Sequence, residues 1–283
     1  MLRILLLSFA LAASPLARAQ DKTGGPFVPT PQVVVDAMLD FAEVGPRDFV
    51  VDLGSGDGRI VLTAAKRYSA RGFGVDIDKK LVDQSNAEAR KLGLAERVSF
   101  RRQDVLAARI EDATVLTLYL LPGMMNMLQP KLARELKPGT RIVSHDFPLN
   151  DWKADRERVI DVPEKYGSAG NWKSTLYYWV VPAKVAGQWD IKAAGLEPEM
   201  FAVNLDQRFQ FIEGTTTVRG RTLAISGGRV AGTAISFALP LSSGSAEFRG
   251  IVDGNRLRGE VTYAGRSYSW SGMRPNPPAT AAR

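Results

Sequence analysis

Val50-Val51-Asp52-Leu53-Gly54-Ser55-Gly56-Asp57-Gly58-Arg59-Ile60 is the stretch on which the fold turns. An apolar run ends in an acid, glycines follow at 54, 56 and 58, and a helix-forming run comes next. This reads as a strand turning sharply into a helix. Glycines permit the tight turn and leave no Cβ between the backbone and a ligand. The helix N-terminus offers free N–H groups to an anionic group. Outward from this turn the alternation repeats. Residues 48–53, 72–77, 98–101, 114–120, 141–145 and 175–181 read as strands. Residues 31–42, 58–69, 79–92 and 123–136 read as helices. Such alternation implies a doubly wound, mostly parallel sheet with helices on both faces. Thr30 before Pro31 predicts a hydroxyl N-cap. Gly139 is expected where the last helix stops.

Composition sets the bounds. The chain has 283 residues, 45% apolar and 24% charged, which is globular composition. That length fits one large domain or two smaller ones. There is no cysteine, which removes disulfides, thiolate metal sites and a cysteine nucleophile. His145 is the only histidine, so a multi-histidine metal site is excluded and no metal is expected. Residues 1–19 read as a secretory signal: Arg3, an apolar run over residues 4–13, then Ala17-Arg18-Ala19 before Gln20. The run is too short to span a bilayer, and no later segment is long and apolar enough. Export to the periplasm with cleavage after Ala19 is the expectation, and a cytoplasmic chain if the signal does not function.

The pattern changes near residue 183. Residues 20–182 carry the alternating strands and helices. Residues 183–275 show short alternating runs, at 222–226, 234–239, 247–252, 260–263 and 267–270. Gly227-Gly228, Ser243-Gly244, Asp253-Gly254 and Ala264-Gly265 read as turns between them. An all-β sandwich or small barrel is expected there, and a loose tail over 276–283. Formal charge is +7 for the whole chain, +4 on residues 183–283 and only +1 on residues 20–182. A domain that acts on nucleic acid usually carries the positive field itself. Nucleic acid is therefore not expected as substrate.

The glycine spacing is G-x-G-x-G, not the G-x-G-x-x-G of a dinucleotide site, and no Lys-Ser/Thr pair follows as in a phosphate loop. Asp52 would repel a pyrophosphate and suits a ligand bearing an amino acid. Asp76 closes the next strand, 18 residues after Gly58, near the spacing at which an acid meets ribose hydroxyls. Asp104 follows the third strand, where it can accept from an adenine amino group. This set resembles class I, seven-strand S-adenosylmethionine-dependent methyltransferases, over roughly residues 27–182. The resemblance implies a Rossmann-like sheet and S-adenosylmethionine as cofactor. It implies that Asp52, Gly54, Ser55, Gly56, Asp57 and Gly58 hold the methionine part. It implies Asp76 and Ile77 at the ribose, Asp104 and Val105 at the adenine, and Thr30 folded over the cofactor. A narrower likeness rests on Pro29-Thr30-Pro31, the glycine loop through Arg59, Tyr119-Leu120-Leu121-Pro122, Ser144-His145-Asp146-Phe147 and Trp152. These resemble bacterial relatives of the mitochondrial lysine methyltransferases acting on ATP synthase and the adenine nucleotide carrier. That implies methyl transfer to a protein lysine.

A lysine amine, with a pKa near ~10.4, must lose its proton before it attacks a methyl group. Tyr119, His145 and Asp146, at the ends of the fourth and fifth strands, are the candidates to assist. His145 acts as a base, or else pins its loop as a buried structural residue. Asp57 caps the following helix or faces the cofactor amino group. Arg59 is expected to form an ion pair on the first turn. Met124, Met125 and Met127 are expected in the helix core. Two other functions remain open here: methylation of a small molecule, and a non-catalytic scaffold whose β domain binds a partner.

Overall fold

The computed structural model of the protein describes residues 25–165 and 167–275. The expected signal at 1–19 and the tail at 276–283 lie outside the described residues.

The first region alternates as its hydrophobic pattern dictates: α1 (Gln32–Phe41), β1 (Phe49–Leu53), α2 (Arg59–Tyr68), β2 (Arg71–Asp76), α3 (Lys79–Lys91), β3 (Val98–Arg102), β4 (Val115–Leu118), α4 (Pro122–Glu135), β5 (Arg141–His145), β6 (Arg156–Lys165) and β7 (Ser168–Val180). The seven strands lie in the order β3-β2-β1-β4-β5-β7-β6. All neighbours are parallel except β7, which runs antiparallel to both β5 and β6. The chain winds outward from β1 to β3, then returns to β4 beside β1. Beyond the carboxyl ends of β1 and β4 is therefore the switch point where an open α/β sheet takes its ligand. Val50, Val51 and Leu53 of β1 are fully buried, as expected for a strand covered on both faces.

Local expectations fail in four places. Strand β6 was not among the expected strands. Its sequence, Arg156-Glu157-Arg158-Val159-Ile160-Asp161-Val162-Pro163-Glu164-Lys165, is charged and holds a proline. Those are the marks of a sheet edge, not of a buried strand. β7 begins at Ser168, earlier than expected, because its polar first half pairs only with β6. Thr30 does not cap α1: the capping position is Pro31, without a side-chain bond. Gly139, likewise, lies beyond the end of α4, whose C-cap is Leu136.

The second region is a closed antiparallel barrel. Its strands are β8 (Gly187–Ala193), β9 (Met200–Arg208), β10 (Phe211–Val218), β11 (Arg221–Ala224), β12 (Ser226–Ala231), β13 (Ala234–Leu241), β14 (Gly244–Asp253), β15 (Arg256–Tyr263) and β16 (Arg266–Met273). Eight of them form the ring, which β16–β8 and β9–β10 pairing closes. β11 hangs on β10 outside it. Closure removes the exposed edges that a sandwich would leave. Gly227-Gly228 is not a turn but an irregularity inside β12. A Cβ on Gly228 would come 2.1 Å from the Ile212 carbonyl oxygen, so only glycine allows this approach. Inside the ring, Phe237 stacks on Phe248 at 4.6 Å, and Trp270 meets both edge-on.

The barrel is seated on the first region by its β9–β10 turn. Phe209 stacks on the fully buried Trp152 at 4.9 Å. Arg229 pairs with Asp155 at 2.5 Å, and Gln210 Nε2 donates to the Lys153 carbonyl at 2.6 Å.

Candidate active site

A cleft of about 890 Å3 opens at the carboxyl ends of β1, β2 and β4. Its floor is the turn after β1. Gly54 N and Ser55 N both donate to the Val75 carbonyl at 2.9 Å, and Gly58 N donates to Ser55 O at 2.8 Å. Gly54 and Gly56 stand at φ +80° and +53°, where a side chain would be strained. A Cβ would also lie 2.6 Å from Leu120 at Gly54 and 2.4 Å from Phe27 at Gly56. The floor is thus a cradle of bare backbone. Gly58 serves differently from expectation. It caps α2 in a left-handed conformation and backs onto Phe100 and Ser85, away from the cleft lining.

Five acids ring this space: Asp52, Asp57, Asp76, Asp78 and Asp104. Asp52 is 2% exposed and accepts from Thr117 Oγ1 at 2.7 Å across the β1–β4 pair. Burial pushes its pKa up to about 7, against the Thr117 hydrogen bond, with Asp76 and Asp57 adding to the rise. Asp76 spans the turn: Gly56 N donates to Oδ2 and Asp78 N to Oδ1, both at 2.9 Å. A carboxylate has lone pairs beyond these two bonds, so it can still accept from hydroxyls. Asp104 accepts from Leu106 N at 2.9 Å and caps a short 3-10 turn over Val105–Ala107. Asp57 is bound by Arg59 at 2.5 Å and lines the cleft as well. The expected capping role is not realised: Gly58 holds the N-cap position of α2 without a side-chain bond, and Asp57 accepts from Arg59 N only at 3.3 Å while facing the cleft. Ile77, Val105 and Thr30 also line the cleft.

Among the described residues Ser55 Oγ has no hydrogen-bond partner; it is closed off from solvent and lies beside Gly74 of β2. A turn of bare backbone ringed by several acids suits a ligand with polar and cationic groups. The methionine end of S-adenosylmethionine has both.

The three residues expected to assist the chemistry form one contiguous cluster, but of the three only Tyr119 lines the cleft. His145 lies behind it, fully buried, its ring stacked on Tyr119 at 4.0 Å. Burial holds its pKa down to about 4; Asp146 opposes that fall, and Lys165 adds to it. His145 Nε2 meets Ser174 Oγ at 2.9 Å and Asp146 Oδ2 at 3.3 Å, while Nδ1 has no partner. Asp146, in turn, accepts from Lys165 Nζ at 2.5 Å and from Thr175 N at 3.0 Å. His145 and Asp146 stand at the end of β5 as expected, and neither lines the cleft. The sequence pattern puts them at a strand end; only packing shows that the aromatic ring of Tyr119 covers His145. Met124 lines the cleft, Met125 is core and Met127 is 49% exposed, so helix packing accounts for only part of that cluster. Phe27, Leu121 and Phe147 also line the cleft; Leu121 and Phe147 fall within the motifs that carry the resemblance, whereas no motif includes Phe27.

This strand order, with a glycine cradle and acids at its switch point, defines a class I S-adenosylmethionine-dependent methyltransferase. Comparison with known proteins narrows the class. The ANTKMT methyltransferase domain model matches residues 52–156. A protein-lysine N-methyltransferase of Saccharolobus islandicus is 41% identical over 157 residues, covering 55% of this chain and 93% of that protein. The adenine nucleotide translocase lysine N-methyltransferase of Mus musculus is 36% identical over 104 residues, which are 37% of this chain and 45% of that one. The structure titled RNA methyltransferase from Salinibacter ruber, solved with S-adenosyl-L-homocysteine, is 44% identical at a TM-score of 0.50. It covers 56% of this chain and 96% of that chain. The chain belongs to the ANTKMT methyltransferase family and is an S-adenosylmethionine-dependent enzyme. The 157 matched residues fill 93% of the archaeal relative, so that protein has no room for a barrel of this size.

Proposed function

We propose that the protein transfers methyl to the ε-amine of a protein lysine. The observation that carries this reading is the 41% identity, over 93% of its length, to a relative named for that activity. The site is chemically suited to it. S-adenosylmethionine, when bound, supplies an electrophilic methyl on a sulfonium. Asp52 and the backbone of the glycine turn face its amino-acid part. Asp76 accepts from ribose hydroxyls, with Ile77 beside it, and Asp104 and Val105 border the adenine. On the acceptor side the walls are Tyr119 and Phe147, whose rings stack at 6.3 Å. Such walls desolvate an ammonium and favour its neutral, nucleophilic form. The stem of a lysine is apolar and fits between rings. His145 is kept neutral and out of reach, so proton removal falls to solvent or to the mouth of the cleft.

The name of the Salinibacter structure points to RNA as an alternative acceptor. The near-neutral charge of residues 20–182 favours protein. Incubating the purified protein with labelled S-adenosylmethionine and cell extract tests this. Label that is lost to protease and found as methyl-lysine by mass spectrometry supports the proposal. Label lost to ribonuclease, or found in small molecules, overturns it.

The N-terminal pattern and the absence of cysteine support export, with residues 20–182 as the catalytic domain and 183–275 as the accessory domain. Fractionation with N-terminal sequencing checks it: a periplasmic chain beginning at Gln20 is expected, and a cytoplasmic chain retaining Met1 would refute export.

A further inference from the structure

The segment leading into α1 crosses the cleft. Gly25 packs against Leu121 at the start of α4, where a Cβ would come 2.8 Å from Leu121 Cδ1. Two residues on, Phe27 lies over Gly56 on the glycine loop. Thr30 O then accepts from Arg59 Nη1 at 2.7 Å, and the same guanidinium holds Asp57 of that loop. One side chain therefore ties the segment and the loop together.

The segment covers the cleft without being knitted to it. Among the described residues, the N–H groups of Phe27, Val28 and Thr30 have no protein partner. Phe27 is 49% exposed and Leu121 46%. Pro26 and Pro29 stiffen the chain on either side, which lowers the entropy lost when it settles. A stiff, apolar, weakly held segment over an acid-lined cleft opens and closes at small energetic cost.

We propose that residues 25–30 form a cofactor-gated strap: Phe27 closes over the bound cofactor, and Arg59, joining Thr30 to Asp57, is the latch. Closure excludes water from the sulfonium and slows release of the product. The proposal rests on the cofactor lying in this cleft, and the test separates the two claims.

The test is amide exchange of the whole chain, with and without S-adenosylhomocysteine, and its dissociation rate measured in parallel. With ligand, exchange at Phe27 and Val28 slows by about tenfold or more. Phe27→Ala raises the dissociation rate about tenfold, the size expected when one half-buried aromatic contact is lost, and removes the protection. Phe27→Leu keeps most of both. Arg59→Met acts in the same direction as Phe27→Ala. Phe27 is half exposed, so its variants fold. Calorimetric binding of the product without protection of the strap, or an unchanged dissociation rate in Phe27→Ala, overturns the strap alone. A folded chain that does not bind S-adenosylhomocysteine overturns the placement of the cofactor and the strap together.

Discussion

The cleft and the barrel handle their charged and polar groups in opposite ways. In the barrel, polar residues alternate outward, and the interior is one packed set that includes Trp189, Phe237, Phe248 and Trp270. In the cleft, an aspartate is buried with its pKa pushed up to about 7, and among the described residues the buried Ser55 hydroxyl has no partner. A buried carboxyl and an unpartnered buried hydroxyl each cost free energy. The barrel shows what the chain does when stability alone is at stake. The cleft shows where stability is given up to hold a charged ligand, and it lies at the switch point of the sheet.

The largest effect that would sharpen this contrast is at Asp76. Asp76→Ala removes the carboxylate that ties Gly56 and Asp78 into the turn, and with it the proposed ribose contact. Calorimetry with S-adenosylhomocysteine should show binding lost by ~100-fold or more, while circular dichroism of the barrel strands is unchanged. Next is the reverse experiment. Trp270→Ala leaves a cavity against Phe237 and Phe248 and should cost about 3–5 kcal/mol of barrel stability. If it also abolishes cofactor binding by a folded first region, the two regions are less separable than the comparison holds.

A pH series sets ligand binding against folding. Asp52 has its pKa raised from 3.8 to about 7. Between about pH 4 and 7 the folded chain keeps a proton that the unfolded chain has released. Folded stability therefore falls as pH rises through this window and levels off above it. Binding of a ligand ammonium needs the ionised form, so affinity runs the other way. It should weaken about fivefold from pH 7 to 6. Asp52→Asn should flatten both curves, as read by denaturant unfolding and calorimetry. The smallest effect is at the junction. Asp155→Ala breaks the pair with Arg229 and frees the Val180 amide. It should cost about 1–3 kcal/mol, seen as the two regions unfolding at more distinct temperatures, with cofactor affinity unchanged.

Much of the fold was legible because burial on both faces writes a continuous apolar strand into the sequence. β1, β2 and β5 carry that signature within a residue or two of their ends. β6 was not legible, since a charged edge strand is selected for solubility and not for burial. Strands β8, β9 and β10 were not among the expected strands of the barrel either. Their alternation is plain once the burial pattern is known, but few turn residues mark where they begin.

By itself the sequence determined the acids and glycines of the cleft. Their roles depend on backbone freedom and charge at fixed positions along the chain, and both are properties of single residues. Only the tertiary structure decided that His145 is sealed behind Tyr119, and that Gly58 turns away from the site. It alone decided that Phe27 lies over Gly56 and that eight strands close into a ring. These facts depend on which distant side chains meet, and no local spacing encodes that.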